Sequence, residues 1–300
     1  ALMNASISAS MVFRLRPELR ATLYKPAFFQ KSLPLLLLLH GNPLTHVHWH
    51  LVAPVLAKNF TVVATDLRGY GDSSKPQGLA DHSNYSFRRM AQDQIEVMSY
   101  LGFTNFYLAG HDRGARVAHR MALDHEERVK KVVFFDILPT HYMLANMSWR
   151  AAYSLFHWFF MAQPRDIPEN LIQGREDFYI FKKLNDMGIG KGGFSEETIS
   201  EYKRCCSPEN IHAVCEDYRA QMTIDIEMDN IDFERGNKIK CPVAALWGSK
   251  SHIEKFFNPR DAWQDYCENI DISEALDCGH YPAEQAPLEV TEKLSYFFSS

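Results

Sequence analysis

Positive charge is not in excess in this 300-residue chain: Lys plus Arg number 32 against 37 Asp plus Glu, a formal net charge of −5. A phosphate backbone is held by clustered cations, so nucleic acid is a poor candidate partner. Long apolar runs are missing too. A stretch such as Leu35–Leu39 falls far short of the ~20 residues that a membrane span needs, and no membrane partner is expected. The first dozen residues lack the basic start and compact apolar stretch of a secretory signal. Of the six cysteines, Cys205, Cys206, Cys215, Cys241, Cys267 and Cys278, none falls in a CxxC pair or near a His at zinc spacing. Scattered reduced thiols in a chain with its own core fit a reducing compartment, so a cytoplasmic location is expected. What remains is ordinary: 46% hydrophobic and 23% charged residues exclude disorder, collagen and coiled coil.

Length gives one large domain, or one carrying an insertion. In the first half, short apolar runs alternate with helical patterns. Leu35–Leu39 stops at the turn cluster His40-Gly41-Asn42-Pro43, and Phe60–Thr65 ends at the Gly-rich stretch Asp66–Asp72. Ser86 is a candidate N-cap for a helix running to Leu101, with Phe87, Met90, Ile95 and Met98 near one face. Phe106–Ala109 and Val132–Phe135 read as further strands, with a helix over Ala115–Leu123 between them. Strands apolar on both faces, alternating with helices, predict an α/β fold whose mostly parallel sheet is covered on both sides. From Pro139 to about Gly236 the chain turns aromatic and charged without a convincing strand. The strand signal returns at Pro242–Trp247, and Glu289–Phe298 makes a closing helix. The expected organisation is therefore a core over 1–138 and 239–300, interrupted by a helical cap over 139–238. Such a cap would roof the carboxyl ends of the strands, where open α/β sheets place their ligands. The stretch before Ser32 shows no β-hairpin pattern with a Gly-rich turn and is left unassigned.

The decisive segment is Gly110-His111-Asp112-Arg113-Gly114, between a strand and a helix. Flanking glycines permit a sharp turn that lifts the middle side chain above the sheet. A Ser usually stands there; here it is Asp112. A carboxylate is already ionised at neutral pH and attacks an alkyl carbon without a general base. The resulting alkyl ester must then be hydrolysed, which calls for a base to activate water. His280, in a loop before the last helix, fits that role, oriented by Asp136 or, more weakly, by Asp277. The backbone N–H groups of Asn42 and Arg113 are placed to form an oxyanion hole. Arg113 and Arg116 at one helix N-terminus suggest a fork for a substrate carboxylate.

With these residues in view the chain resembles the fluoroacetate (haloacetate) dehalogenases of the α/β-hydrolase superfamily over nearly its whole length. The resemblance is carried by Gly-His-Asp112-Arg113-Gly-Ala-Arg116, Asp81–Arg88, Asp136–Thr140, His157-Trp158, Asp217-Tyr218-Arg219 and His280. It implies that Asp112 displaces halide from the α-carbon of a small haloacid substrate and that Arg113 and Arg116 hold its carboxylate. It further implies that Asp136 and His280 activate water, and that His157, Trp158 and Tyr218 bind the leaving halide. Fluoride, small and strongly hydrated, needs several donors in a water-poor pocket, and imidazole, indole and phenol provide three. No metal or organic cofactor is expected, because the nucleophile is already charged and the base is a histidine. A homodimer is left open. Asn42 departs from the family's usual aromatic at that turn, and the segment Phe178–Gly193 is unfamiliar.

Two other readings compete. An epoxide hydrolase needs two cap tyrosines, Tyr218 with Tyr153 or Tyr142, but has no use for Arg113 and Arg116; haloalkane dehalogenases usually carry Trp after the nucleophile. A non-catalytic ligand sensor would not need Asp112, Asp136 and His280 together.

Overall fold

The computed structural model describes residues 33–186 and 193–300, together with the backbone of residues 10–16 and 19–24. Eight strands form one sheet: β1 (Ser10–Arg16), β2 (Leu19–Tyr24), β3 (Leu35–Leu39), β4 (Thr61–Thr65), β5 (Phe106–His111), β6 (Val129–Phe135), β7 (Val243–Gly248) and β8 (Ile270–Leu276). Their spatial order is β1-β2-β4-β3-β5-β6-β7-β8. The six from β4 to β8 run parallel, while β1 pairs antiparallel with β2 and β2 antiparallel with β4.

Period-two alternation explains why the strands are apolar throughout. Leu37, Leu39, Val63, Leu108, Val132 and Phe134 join the core on one face, while Leu36, Leu38, Val62, Ala109, Val133 and Phe135 join the core on the other. Helices cover both faces. Ser86 caps Phe87–Tyr100 by accepting from the Arg89 N–H at 3.2 Å, and Pro287–Ser299 closes the chain against the second core.

The chain leaves β3 for β4 on one side and returns to β5 on the other. This reversal places the carboxyl ends of β3 and β5 at a topological switch point. Between β6 and β7, no strand occurs among the described residues. Helices from Thr140–Ala145 to Ile226–Arg235 fill that interval, and Gly236 ends the last of them at φ 68°. No helix among the described residues is long and apolar enough to cross a membrane.

The unassigned N-terminal stretch is a correction. Met11-Val-Phe-Arg-Leu-Arg16 and Leu19–Tyr24 do form a hairpin, without a Gly-rich turn. The tertiary partner is β4, with Ala21 opposite Thr65 and Leu23 opposite Val63, an edge that local turn chemistry does not announce.

Candidate active site

The residues expected to act sit at the carboxyl edge of the sheet, each at or just beyond a strand end: Asn42 after β3, Asp112 after β5, Asp136 after β6 and His280 after β8. Asp112 adopts φ 48°, ψ −117°, a conformation that costs an L-residue on the order of 1–3 kcal/mol and persists only where surroundings enforce it. They do. A Cβ on Gly114 would lie 2.4 Å from the His40 carbonyl oxygen, and one on Gly110 would lie 2.5 Å from the Gly114 carbonyl oxygen. Only glycine lets the new helix start this close to β3.

Asp112 is 7% exposed, and its Oδ1 accepts the Asn42 backbone N–H at 2.8 Å. Burial opposes its charge. Nevertheless His280, His111, Arg113 and the Asn42 N–H together hold the carboxyl well below the usual range, so it stays ionised. The His280 Nδ1–H donates to Asp136 Oδ2 at 2.6 Å, and Asp136 Oδ1 accepts the Gly248 N–H at 2.8 Å. That carboxylate fixes the tautomer, leaving Nε2 as an acceptor with no partner, 3.8 Å from Asp112 Oδ2. Asp277, the weaker candidate, is solvent-exposed and paired with Lys250 at 2.7 Å.

The two arginines part company. Arg113 is sandwiched between the Phe87 and Tyr218 rings at 4.7 and 4.3 Å. Its Nε donates to Asp217 Oδ2 at 2.9 Å, Nη2 donates to Asp217 Oδ1, and Nη1 donates to Gln221 Oε1. Arg116 instead lies under Trp158 at 4.7 Å and reaches only neutral acceptors, Thr140 Oγ1 at 2.7 Å, the Leu138 carbonyl at 3.3 Å and Met143 Sδ. Its Nε has no partner, and burial with Arg113 nearby pushes its pKa down to about 10. The surroundings of the two expected carboxylate binders differ: Asp217 pairs with Arg113, whereas no carboxylate among the described residues is hydrogen-bonded to the buried Arg116.

His157, Trp158 and Tyr218 come together above this edge. The His157 and Tyr218 rings are 5.9 Å apart and edge-on, and all three side chains are buried. Burial keeps the imidazole neutral, well below its ordinary value, and pushes the phenol well up, so both remain uncharged donors. Tyr153 points to solvent at 82% exposure, and Tyr142 is half-buried against the core.

A model of the alpha/beta hydrolase fold matches residues 34–287. The chain belongs to this family. It is 42% identical over 268 residues to a fluoroacetate dehalogenase of Burkholderia sp, covering 89% of this chain and 87% of that protein. It is 34% identical over 269 residues to a soluble epoxide hydrolase of Corynebacterium sp. (strain C12), covering 88% and 90%. Among solved structures, a candidate alpha/beta hydrolase from Nostoc sp superposes with a TM-score of 0.89 at 46% identity, covering 97% of this chain and 98% of that one.

Three further buried groups of this hydrolase were assigned no part from sequence, and the first two hold Arg113. Asp217 also accepts the Tyr70 hydroxyl at 2.6 Å, which makes it the anchor of Arg113. Gln221 lies in a π-helical turn, Gln221–Asp225, inside the long helical run from Pro208 to Arg235. Such turns are invisible to a periodicity of 3.6. Lys183, at 7% exposure, falls on the buried face of Glu176–Asp186 with Ile180 and Leu184. That spacing of three and one residues was the available signal.

Proposed function

We propose that this hydrolase cleaves the carbon–halogen bond of short 2-haloacids such as fluoroacetate and chloroacetate, giving the 2-hydroxy acid and halide. The observation that carries the reading is Arg116: a buried guanidinium near the ionised Asp112, with no carboxylate hydrogen-bonded to it among the described residues, suits an anionic substrate. A neutral epoxide or haloalkane gives it no partner.

In this scheme Oδ1 of Asp112 stays on the Asn42 N–H, and Oδ2 attacks the α-carbon as the carbon–halogen bond breaks and its electron pair leaves with the halide. His157, Trp158 and Tyr218 donate to the departing ion. A water molecule then loses a proton to His280 Nε2 and attacks the Asp112 carboxyl carbon. The oxyanion forms at Oδ1, facing the Asn42 N–H, with the Arg113 N–H as the expected second donor. The Asp136 carboxylate, hydrogen-bonded to Nδ1, steadies the imidazolium. Collapse releases the hydroxy acid, restores the carboxylate and sheds one proton, so water and haloacid are the only reactants.

Incubating the protein with fluoroacetate, chloroacetate and styrene oxide, while following free halide and diol, tests the reading. The last substrate is included because one relative is an epoxide hydrolase. His280→Asn with chloroacetate should release about one halide per site and leave a carboxymethyl ester on the Asp112 peptide, since only the hydrolytic step needs the imidazole. Diol without halide, or an unmodified Asp112 peptide with undiminished turnover, overturns it.

A further inference from the structure

Strand β5 ends on His111, one residue before the nucleophile. Period two puts this side chain on the same face as Ala109, the side of the second core that holds Trp49, Phe135 and Cys278. A fully buried imidazole on such an apolar face is costly unless it makes a specific bond. It makes one. Nε2 of His111 lies 2.6 Å from the backbone carbonyl oxygen of His280. A carbonyl only accepts, so Nε2 carries the proton, and Nδ1, which has no partner, carries none. Burial keeps this ring neutral, well below its ordinary value. His48 packs against it at 4.6 Å, and the rings of His280 and Tyr281 lie at 4.9 and 6.0 Å.

Three parts of the reaction centre meet at His111. Its backbone leads directly into Asp112. In the sheet it stands opposite Phe135, the residue before Asp136. Its side chain takes hold of the loop that carries His280. Other ties of that loop run elsewhere. The Gly279 and Tyr281 N–H groups donate to Gln285 Oε1 at 2.9 and 3.2 Å, within the same segment. The Lys250 N–H donates to the Cys278 carbonyl at 3.0 Å, from just beyond the end of β7. The bond from His111 is the one of these that sets the loop against the elbow.

We propose that His111 is a positioning residue for the hydrolytic step: its Nε2–H, bound to the His280 carbonyl, fixes where the catalytic imidazole stands over Asp112. The proposal rests on the reading of Asp112 as the ester-forming nucleophile and His280 as the base. Alkylation needs only the carboxylate, which the Asn42 N–H holds at 2.8 Å. Hydrolysis needs a water molecule between the ester and His280 Nε2, which stands 3.8 Å from Asp112 Oδ2. A displacement on the order of 1 Å there costs about a hundredfold. Loss of the bond therefore slows the second step and spares the first. A residue that only props up the fold has no reason to separate the two.

Three variants of the whole enzyme test this. His111→Leu removes the donor, His111→Asn keeps a polar amide that falls short of the carbonyl, and His111→Gln carries an N–H to a similar reach as Nε2. With chloroacetate, halide release in a single turnover with enzyme in excess reads alkylation. Steady-state turnover and the carboxymethyl mass on the Asp112 peptide read hydrolysis. The leucine and asparagine variants should keep the single-turnover rate within about threefold, lose about tenfold to a hundredfold in steady-state turnover, and accumulate the ester. Glutamine should recover most of the loss. The asparagine variant carries the test should leucine not fold. Both steps slowed alike, unaltered turnover, or a loss that glutamine does not repair overturns the proposal and leaves dehalogenation untouched. A wild type that releases no halide from any haloacid overturns the dehalogenase reading instead; styrene oxide then takes the place of chloroacetate, with the Asp112 ester mass and diol as readouts for the same variants. A wild type that forms no ester on Asp112 from either substrate overturns both.

Discussion

Replacing Arg116 by methionine separates a receptor from a structural strut. The guanidinium is 3% exposed, and its displacement to about 10 corresponds to roughly 3 kcal/mol of unfavourable environment in the empty site, at ~1.4 kcal/mol per tenfold. Its hydrogen bonds to Thr140, Leu138 and Met143 are made to neutral groups and recover only part of this. Methionine fills a similar volume under Trp158. The folded protein should therefore keep its stability, within about 1 kcal/mol, when arginine is removed. Binding should suffer instead: losing a charge-assisted contact of ~1.5–3 kcal/mol lowers kcat/KM about tenfold to a hundredfold for every haloacid alike. Arg113→Met should behave in the opposite way. It strands the buried Asp217 carboxylate, a loss of about 3–5 kcal/mol in folding, before any question of substrate arises. The assay is a pair of measurements on each variant, thermal unfolding with and without the unreactive carboxylate acetate, and kcat/KM on chloroacetate. Acetate should raise the Tm of wild type and leave that of Arg116→Met unmoved. A large fall in Tm for Arg116→Met with unaltered kcat/KM would refute the reasoning.

Other expectations concern the roof, the elbow and pH. Tyr218→Phe and Trp158→Phe remove donors on which fluoride depends most, so kcat/KM on fluoroacetate should drop much further than on chloroacetate or bromoacetate; equal losses across the three would make these side chains packing alone. Gly114→Ala should prevent folding or cost several kcal/mol by urea denaturation, because its Cβ meets the backbone of Leu39 and His40 at 2.6 and 2.4 Å, and backbone cannot step aside. Glu284, buried beside Tyr202, has its carboxyl pushed up to about 7 by burial, above its unfolded value. A folded state that holds the proton more tightly is stabilised at low pH, so this contribution is complete below about pH 4.5 and lost as pH rises through about 7. Glu284→Gln should flatten that part of the stability–pH curve, and an unchanged slope would contradict it.

The sequence by itself determined the sheet and the reacting edge. The runs around Leu35–Leu39, Val132–Phe135 and Pro242–Trp247 became buried strands, because a strand covered on both faces must be apolar at every position. Gly110, Asp112 and Gly114 fixed the elbow because the turn they form is local, and Asp136 was legible from its place at a strand end. The first strands were missed for the opposite reason: β2 is secured by β4, some forty residues away, rather than by its own turn. Tertiary structure adds the geometry behind that preference, bringing Gly248 and His280 to the Asp136 carboxylate while leaving Asp277 in solvent. It also decided which arginine is paired with a carboxylate. Asp217 lies a hundred residues from Arg113 along the chain, and no local pattern reports that a π-helical turn beside it carries Gln221 to the same guanidinium. Helical spacing shows which face of Glu176–Asp186 is buried, but only packing joins its Tyr179 to Met161 and its Lys183 carbonyl to Tyr281.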